Sequence, residues 1–141
     1  MFKYDFFVAG RWRNYEAVRQ VLETIRSTGK TAYCFIDNPY AGEKVSFEQL
    51  DAIEETMQRL ESLSLDDPHV KNIFEADMSA ERDSKNFLLV LPAGISAHIE
   101  AGVAYGTGKP CYAVGQPDKT ETLYSIFSQI FPNVDALKEW L

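Results

Sequence analysis

The sequence predicts an α/β fold in which helices cover both faces of a mainly parallel, five-stranded sheet, the doubly wound arrangement of flavodoxin-like and Rossmann-like proteins. Short apolar runs rich in strand-forming residues alternate along the chain with segments whose apolar positions recur at helical spacing. Helical crossovers of roughly 10–15 residues join strands in parallel through right-handed connections. Since no repeat, linker or low-complexity segment interrupts this pattern, we expect a single domain over residues 1–141.

Four apolar runs are the clearest strands. They comprise residues 4–8, 31–36, 87–91 and 110–114. The stretch between them at 70–86 is the hardest to interpret, and we expect a short fifth strand at 70–74 and a short helix at 78–85. In doubly wound sheets, ligands bind beyond the carboxyl ends of the strands. This rule predicts one functional rim, formed by residues 9–14, 37–42 and 94–100.

Capping residues and apolar spacing indicate the helices that connect these strands. Three polar residues precede helical patterns and are placed to cap them: Asn14, Ser46 and Ser96. The first of these helices is expected to end at Gly29, and the third at about residue 105. Two further helices are expected at 120–131 and 134–140.

Composition and charge limit the classes of function. The formal net charge of −7 disfavours a nucleic-acid polymer as partner, because phosphate backbones reward clustered lysine and arginine. No apolar run reaches the roughly 18 residues of a membrane span, and residues 1–10 lack the features of a signal peptide, so we expect a cytoplasmic protein. Cys34 and Cys111 lie inside predicted buried strands and are expected to be free thiols. Neither histidine pairs with a cysteine at a zinc-binding interval, and no metal or cofactor is expected.

The segment after the strand at 87–91 contains the best candidate for chemistry. The strand delivers Gly94 to the rim, where a residue without a side chain lets a ligand approach the backbone. Ser96 offers a hydroxyl to the free amides of the following helix or to a ligand. Glu100 is expected within about the first turn of that helix, where the helix dipole favours an ionised carboxylate that can act as a nucleophile. The simpler alternative is that Glu100 only complements the dipole.

The sequence Arg11-Trp12-Arg13 gives the rim a second candidate feature. It lies at the start of the first helix, where free amides already favour an anion. The two guanidinium groups are suited to a phosphate, and Trp12 to stacking on a planar ring. The alternative is a solvated charged turn with Trp12 packed on the surface. A similar choice applies to His98, for which capping or packing is the more common role.

Two short motifs carry a resemblance to a known family. Residues 91–102 read Leu-Pro-Ala-Gly-Ile-Ser-Ala-His-Ile-Glu-Ala-Gly, with Gly-Lys-Pro at 108–110, and residues 6–10 read Phe-Phe-Val-Ala-Gly. This pattern resembles the nucleoside 2-deoxyribosyltransferase family, including the related nucleotide N-glycosidases. The order and spacing of the predicted elements match that family over most of the chain.

The resemblance implies a glycosyl transfer. Glu100 would attack C1′ of a nucleoside or nucleoside 5′-monophosphate, the base would leave, and another base or water would resolve the glycosyl ester. Asp83 is the candidate by position for the acid that protonates the leaving base, and Asp77, His98 or a residue of another subunit are the alternatives. We expect the helix dipole to keep Glu100 ionised, and burial beside the strand at 87–91 to keep Asp83 protonated near neutral pH. Phe7 and Asn86 stand where the family usually has Tyr and Asp. Substrate-binding residues are expected at both motifs, namely Phe7, Ala9, Gly10, Arg11, Trp12, Asn86, Gly94, Ser96 and His98.

Two other functions remain open from the sequence. The replacements at Phe7 and Asn86 favour a nucleotide-binding or sensing module that has lost turnover. A helix-borne glutamate also fits an enzyme of the TIR type, which cleaves the N-glycosidic bond of NAD. In each case the partner is a small nucleoside or nucleotide, and the family resemblance implies a homodimer or larger homo-oligomer.

Overall fold

The computed structural model describes residues 1–37 and 50–141, without the side chains of residues 50–53 and 56. Its centre is a five-stranded sheet in which every neighbouring pair of strands is parallel. The strands are β1 (Tyr4–Ala9), β2 (Ala32–Cys34), β3 (Ser84–Val90), β4 (Cys111–Val114) and β5 (Gln129–Phe131). The helices are α1 (Tyr15–Ser27), α2 (Leu50–Glu61), α3 (Pro68–Arg82), α4 (Ile95–Gly106) and α5 (Val134–Trp140). The strand order β2-β1-β3-β4-β5 confirms the predicted doubly wound sheet.

The strand predicted at 70–74 was wrong, because α3 is one continuous helix of 15 residues, which also includes most of the helix predicted at 78–85. Its start is marked by Asp67, whose side chain accepts a hydrogen bond of 2.8 Å from the backbone N–H of His69. Pro68 occupies the first helical position, where its missing N–H costs nothing. The Asp-Pro pair is therefore the beginning of a helix.

The expected helix at 120–131 was also wrong. The segment forms a short 3-10 helix, Thr122–Ile126, and then β5, which pairs with β4. The apolar residues of this segment fit helical spacing equally well. The segment ends in a strand because the edge of β4 is open for pairing, and a local sequence pattern does not show that edge. The predicted number of five strands is thus right, but the fifth strand is at the other end of the chain.

The predicted caps differ from the observed ones. The Asn14 amide does not cap α1, and instead donates to the carbonyl oxygens of Leu91 and Pro92 at 3.5 and 3.4 Å. Helix α4 begins one residue before Ser96, with Gly94 at the cap position and no side-chain cap. Ser46 lies outside the described residues. Gly29 has a φ of +84° just beyond α1, as a helix terminator should.

The two faces of the sheet bury different side chains. In β1, Phe6 and Val8 join the core under α1 and α5, whereas Phe7 and Ala9 join the core under α3 and α4. Small residues let α4 pack closely on its face, namely Ala97, Ala101 and Ala104. Cys34 and Cys111 are buried free thiols, as predicted. Among the described residues, no helix is long and apolar enough to cross a membrane.

Candidate active site

A cleft with a volume of about 700 Å³ opens where β1 and β3 end and α4 begins. It lies at the carboxyl edge of the sheet, as the strand order predicts for a doubly wound fold. Parts of α2 and α3 form its other wall, including Met57, Ile73 and Asp77. Eight of the residues predicted for the site line this cleft, namely Phe7, Ala9, Gly10, Arg11, Trp12, Gly94, Ser96 and Glu100.

Glu100 faces the cleft from the inner side of α4 and is largely buried. Burial above all, together with the negative charges of Asp77 and Glu81, raises the pKa of its carboxyl to about 8. The expected ionised state is therefore wrong for the free site. Glu100 is the sixth residue of α4, beyond the first turn in which the helix dipole acts, so desolvation decides its protonation.

Asp77 of α3 provides the second largely buried carboxyl of the cleft, which the exposed Glu61 of α2 also lines. Burial raises its pKa to about 6, while a hydrogen bond from the Tyr33 hydroxyl, 3.4 Å from Oδ1, opposes that shift. Tyr33 lies on β2 in register with Phe7, and the two rings stack with centroids 5.5 Å apart. The aromatic pair thus directs a phenol from the neighbouring strand towards the carboxyl pair.

Asp83 and Asn86 are not brought to this cleft. The carbonyl oxygen of Asp83 accepts hydrogen bonds from the backbone N–H groups of Lys3 and Tyr4, at 2.8 and 3.1 Å, which places it at the amino edge of the sheet. The Asn86 amide donates to the carbonyl oxygen of Asp5 at 2.9 Å. Both residues are at the start of β3. The cleft lies at the other end of this strand, so neither residue reaches it. Of the two acids considered, Asp77 is the one beside Glu100.

The Arg11-Trp12-Arg13 sequence is divided among different roles. Trp12 is only 5% exposed and packs edge-on against Phe35, with ring centroids 4.8 Å apart. Arg13 makes a bidentate contact with Glu54 of α2, with N–O distances of 2.7 and 3.0 Å. Arg11 is partly exposed and lines the cleft. The alternative of a solvated charged turn therefore fits Arg13, which is on the surface. It does not fit Trp12, which is buried and not packed on the surface.

His98 lies on the outer side of α4, away from the cleft lining. Its Nδ1 is 2.7 Å from the carbonyl oxygen of Gly94, and its Nε2 is 3.0 Å from the Tyr124 hydroxyl. The imidazole also stacks on the Tyr124 ring, with centroids 5.7 Å apart. These contacts give His98 the packing role that was the more common expectation.

Glu81 is a third largely buried acidic residue, behind the cleft, that was not expected from the sequence. Its side chain is 2% exposed and follows Asp77 by one helical turn on α3. The signal was a pair of acids four residues apart within an apolar helical pattern, which becomes visible only when residues 68–82 are treated as one helix. Among the described residues, no cluster of histidine, cysteine and acidic side chains is arranged to hold a metal ion.

Comparison with known proteins shows a likeness in structure. No protein-family model matches the chain, and no curated protein matches it by sequence. Among solved structures, the chain is similar to the 2-deoxyribosyltransferase of the psychrotolerant bacterium Bacillus psychrosaccharolyticus, with a TM-score of 0.63. The match covers 94% of this chain and 89% of that enzyme, at 14% sequence identity. The two chains share a fold. At this identity the likeness concerns the arrangement of strands and helices.

Proposed function

We propose that this protein cleaves or transfers the N-glycosidic bond of a nucleoside or nucleoside 5′-monophosphate, with Glu100 as the nucleophile. The observation that carries the proposal is the pairing of Glu100 and Asp77 in one cleft at the carboxyl edge of the sheet. The cleft volume is in the range that small-molecule ligands occupy. The shared fold of a 2-deoxyribosyltransferase supports the same class of reaction.

The two carboxyls divide the work of a retaining mechanism. Attack by the Glu100 carboxylate on C1′ forms a glycosyl ester and breaks the bond to the base, and water or a second base then takes the sugar from Glu100. The leaving base needs a proton, which Asp77 supplies. At neutral pH the free site holds the opposite arrangement, because the pKa of Glu100 is about 8 and that of Asp77 about 6.

One proton must therefore move from Glu100 to Asp77 before the sugar is attacked. Positive charge develops on the sugar in the oxocarbenium-like transition state, and it favours the ionised form of the facing Glu100. The proton of Glu100 then passes to Asp77 and on to the departing base. Two carboxyls that share a proton in a buried site titrate as a pair, so the rate should depend on two apparent pKa values that belong to both.

The direct test is turnover with a panel of nucleosides and their 5′-monophosphates, with and without an acceptor base, followed by chromatography of the released bases. Glu100→Gln should lower the rate by more than about 10³-fold without loss of folding. Glu75→Gln is the matched control, since Glu75 is exposed on the outer side of α3. A 2-fluoro sugar analogue should add its glycosyl mass to the wild-type chain and not to Glu100→Gln.

Normal turnover by Glu100→Gln would overturn the proposed nucleophile. Binding of nucleotides without any turnover would instead favour the nucleotide-binding module, and cleavage of NAD alone would favour the TIR-type reaction. Calorimetric titration against nucleosides, monophosphates and NAD distinguishes these outcomes.

Arg11 is the proposed contact for a 5′-phosphate. It lines the cleft and forms no ion pair within the described ranges, whereas Arg13 is bound to Glu54. Monophosphates should then bind more tightly than nucleosides at low salt, and the preference should fade as salt rises. Arg11→Gln should remove the preference and Arg13→Gln should reduce it less. Equal affinity of the wild-type chain for both ligands would contradict this assignment.

We also propose that the chain is one domain that forms a homodimer or larger homo-oligomer. Helix α4 presents exposed apolar side chains on the side away from the sheet, including Ile95, Ile99 and Tyr105. Apolar surface of this kind next to a ligand cleft is typical of an interface. Light scattering at micromolar concentration should give at least twice the monomer mass of 16.0 kDa, and a monomer mass would contradict the proposal.

A further inference from the structure

Glu81 is the most unusual buried residue of the described chain. Its side chain is 2% exposed, and neither carboxyl oxygen has a hydrogen-bond partner. A buried carboxylate without partners is costly, and burial of this kind is normally tolerated only when the group stays protonated or is paired. Apolar residues would fill the same space without this cost, so the acid at this position calls for an explanation beyond packing.

The surroundings of Glu81 connect it to the cleft. Asp77 lies one turn earlier on the same face of α3, and Glu100 approaches from α4, which packs on the same side of the sheet. Lys109 and Cys111 are its neighbours at the start of β4. The Glu81 carboxyl has no hydrogen bond with the Lys109 amine, which donates instead to the carbonyl oxygens of Ser84 and Arg82 at 2.6 and 3.4 Å.

The charges of this cluster act on one another. The pKa of Glu81 is raised to about 7, chiefly by burial; the charge of Lys109 opposes this rise and that of Asp77 adds to it. Ionised Glu81 in turn raises the pKa of Glu100 and of the Cys111 thiol. Tyr33 acts on the other side, through its hydrogen bond to Asp77. Near neutral pH the three carboxyls are therefore partly protonated as a group. The gain or loss of a proton at one carboxyl changes the pKa of the others.

We propose that Glu81 is a positioning residue that sets the number of protons held by Asp77 and Glu100. It does not touch the ligand, since it is absent from the lining of the cleft. Its ionised form holds a proton on the cleft pair, and its neutral form lets Glu100 ionise for attack. The catalytic meaning of this coupling rests on the proposed N-glycosidic reaction, but the coupling itself is a property of the free protein.

The deciding experiment is a carboxyl ¹³C NMR titration of the free protein. In Glu81→Gln, the titration midpoint of Glu100 should fall, by up to roughly one pH unit, because a neighbouring negative charge is removed. The midpoint of Asp77 should stay at about 6, because Asp77 ionises before Glu81 does. Glu75→Gln should leave both midpoints unchanged, and Glu81→Asp should restore part of the shift. A Glu100 midpoint in Glu81→Gln that equals that of the wild-type chain would overturn the proposal.

The wild-type chain provides a second test if Glu81→Gln does not fold. The Glu81 resonance should report the titration of Asp77 as an additional step in its own curve. A single-step curve for Glu81, with no step shared by the cleft pair, would also overturn the proposal.

Kinetics then separates this inference from the proposed function. In Glu81→Gln the pH profile of kcat should move to lower pH by the same amount as the NMR midpoint of Glu100, with KM unchanged. A shift of this midpoint in a protein without any turnover would retain the coupling and reject the enzyme. Turnover with an unshifted midpoint and an unshifted pH profile would retain the enzyme and reject the role of Glu81.

Discussion

The two faces of the sheet differ in what they bury. The face under α1 and α5 is filled by aliphatic and aromatic side chains such as Val18, Leu22 and Leu137, and no charged side chain of the described residues is buried there. The face under α3 and α4 also has an apolar core, with Phe7, Phe87 and several alanines, but it holds three largely buried carboxyls as well, at Asp77, Glu81 and Glu100. One face of the sheet is thus purely apolar, whereas the other also buries carboxyl groups at a cost in free energy.

The difference shows where stability and chemistry are separated in this fold. Apolar burial stabilises in proportion to the area removed from water, so the α1 side supplies a large favourable contribution. Carboxyls held in a low-dielectric site cost free energy in their ionised form, and such groups cluster at functional sites. The α1 side therefore offsets the free-energy cost of the buried carboxyls. Substitutions on the α1 side should change mainly stability, and substitutions of the carboxyls should change mainly chemistry.

The largest contrast is expected between Leu22→Ala and Glu100→Gln. Leu22 is 2% exposed in the core under α1, and its truncation should lower the free energy of unfolding by ~2–5 kcal/mol. The folded fraction should keep its ligand affinity, because Leu22 lies on the far side of the sheet. Glu100→Gln should cost less than about 1 kcal/mol, since the neutral form already predominates at pH 7. Urea unfolding and calorimetry measure both effects.

An equal loss of stability in the two variants would break the comparison. It would mean that Glu100 is a structural residue of the α3 and α4 side. Weakened ligand binding in folded Leu22→Ala would show instead that the two faces are coupled through the sheet.

Stability should also fall as the pH rises through neutrality. The three carboxyls have ordinary pKa values of 3.8 for Asp and 4.5 for Glu, and folded values of about 6, 7 and 8. Between these limits the folded chain binds more protons than the unfolded chain, so the free energy of unfolding decreases as the pH rises. The stabilising contribution is complete below the unfolded values and is lost as the pH passes through the folded ones.

Thermal or urea unfolding at a series of pH values from about 4 to 9 measures this slope. Glu81→Gln should flatten it, because it removes one group of raised pKa. Glu75→Gln should leave it unchanged, since Glu75 is exposed. A free energy of unfolding that stays constant or increases across this window would contradict the unfavourable burial of the cluster.

The fold could be predicted largely because its central strands are continuous apolar runs. The runs that became β1, β3 and β4 are distinctive whatever surrounds them, and parallel pairing follows from the crossovers. The elements that were wrong, α3 and β5, lack such contrast. Val70, Ile73 and Phe74 favour strands locally, and only the cap at Asp67 and the packing on β1 and β3 make them helical.

The site could be predicted only in part, because burial decides its chemistry. Glu100 follows from its place after the strand and turn, and the lining residues of β1 follow from the rim rule. The raised pKa of Glu100 and the burial of Glu81 depend on how α3 and α4 pack together, which the sequence does not state. Asp83 was favoured over Asp77 because it is nearer to β3 in sequence, whereas the direction of the parallel strand places it at the opposite edge.

The smallest expected effect concerns the hydroxyl that Tyr33 presents to Asp77. The hydrogen bond of 3.4 Å favours ionised Asp77 and lowers its pKa against the effect of burial. Tyr33→Phe keeps the stacking on Phe7 but removes this donor, so the titration midpoint of Asp77 should rise above about 6. The hydrogen bond stabilises the folded chain only while Asp77 is ionised. The loss of stability should therefore be about 0.5–1.5 kcal/mol at pH 8 and should diminish as the pH falls below the folded pKa of Asp77.

Tyr4→Phe is the matched control, because Tyr4 contacts the same Tyr33 ring, with centroids 5.6 Å apart, and has no hydrogen bond to Asp77. A pH-independent loss in Tyr33→Phe, equal to that in Tyr4→Phe, would show that the hydroxyl acts on packing alone. A titration midpoint of Asp77 that rises in Tyr33→Phe and not in Tyr4→Phe would show that β2 contributes a residue to the site.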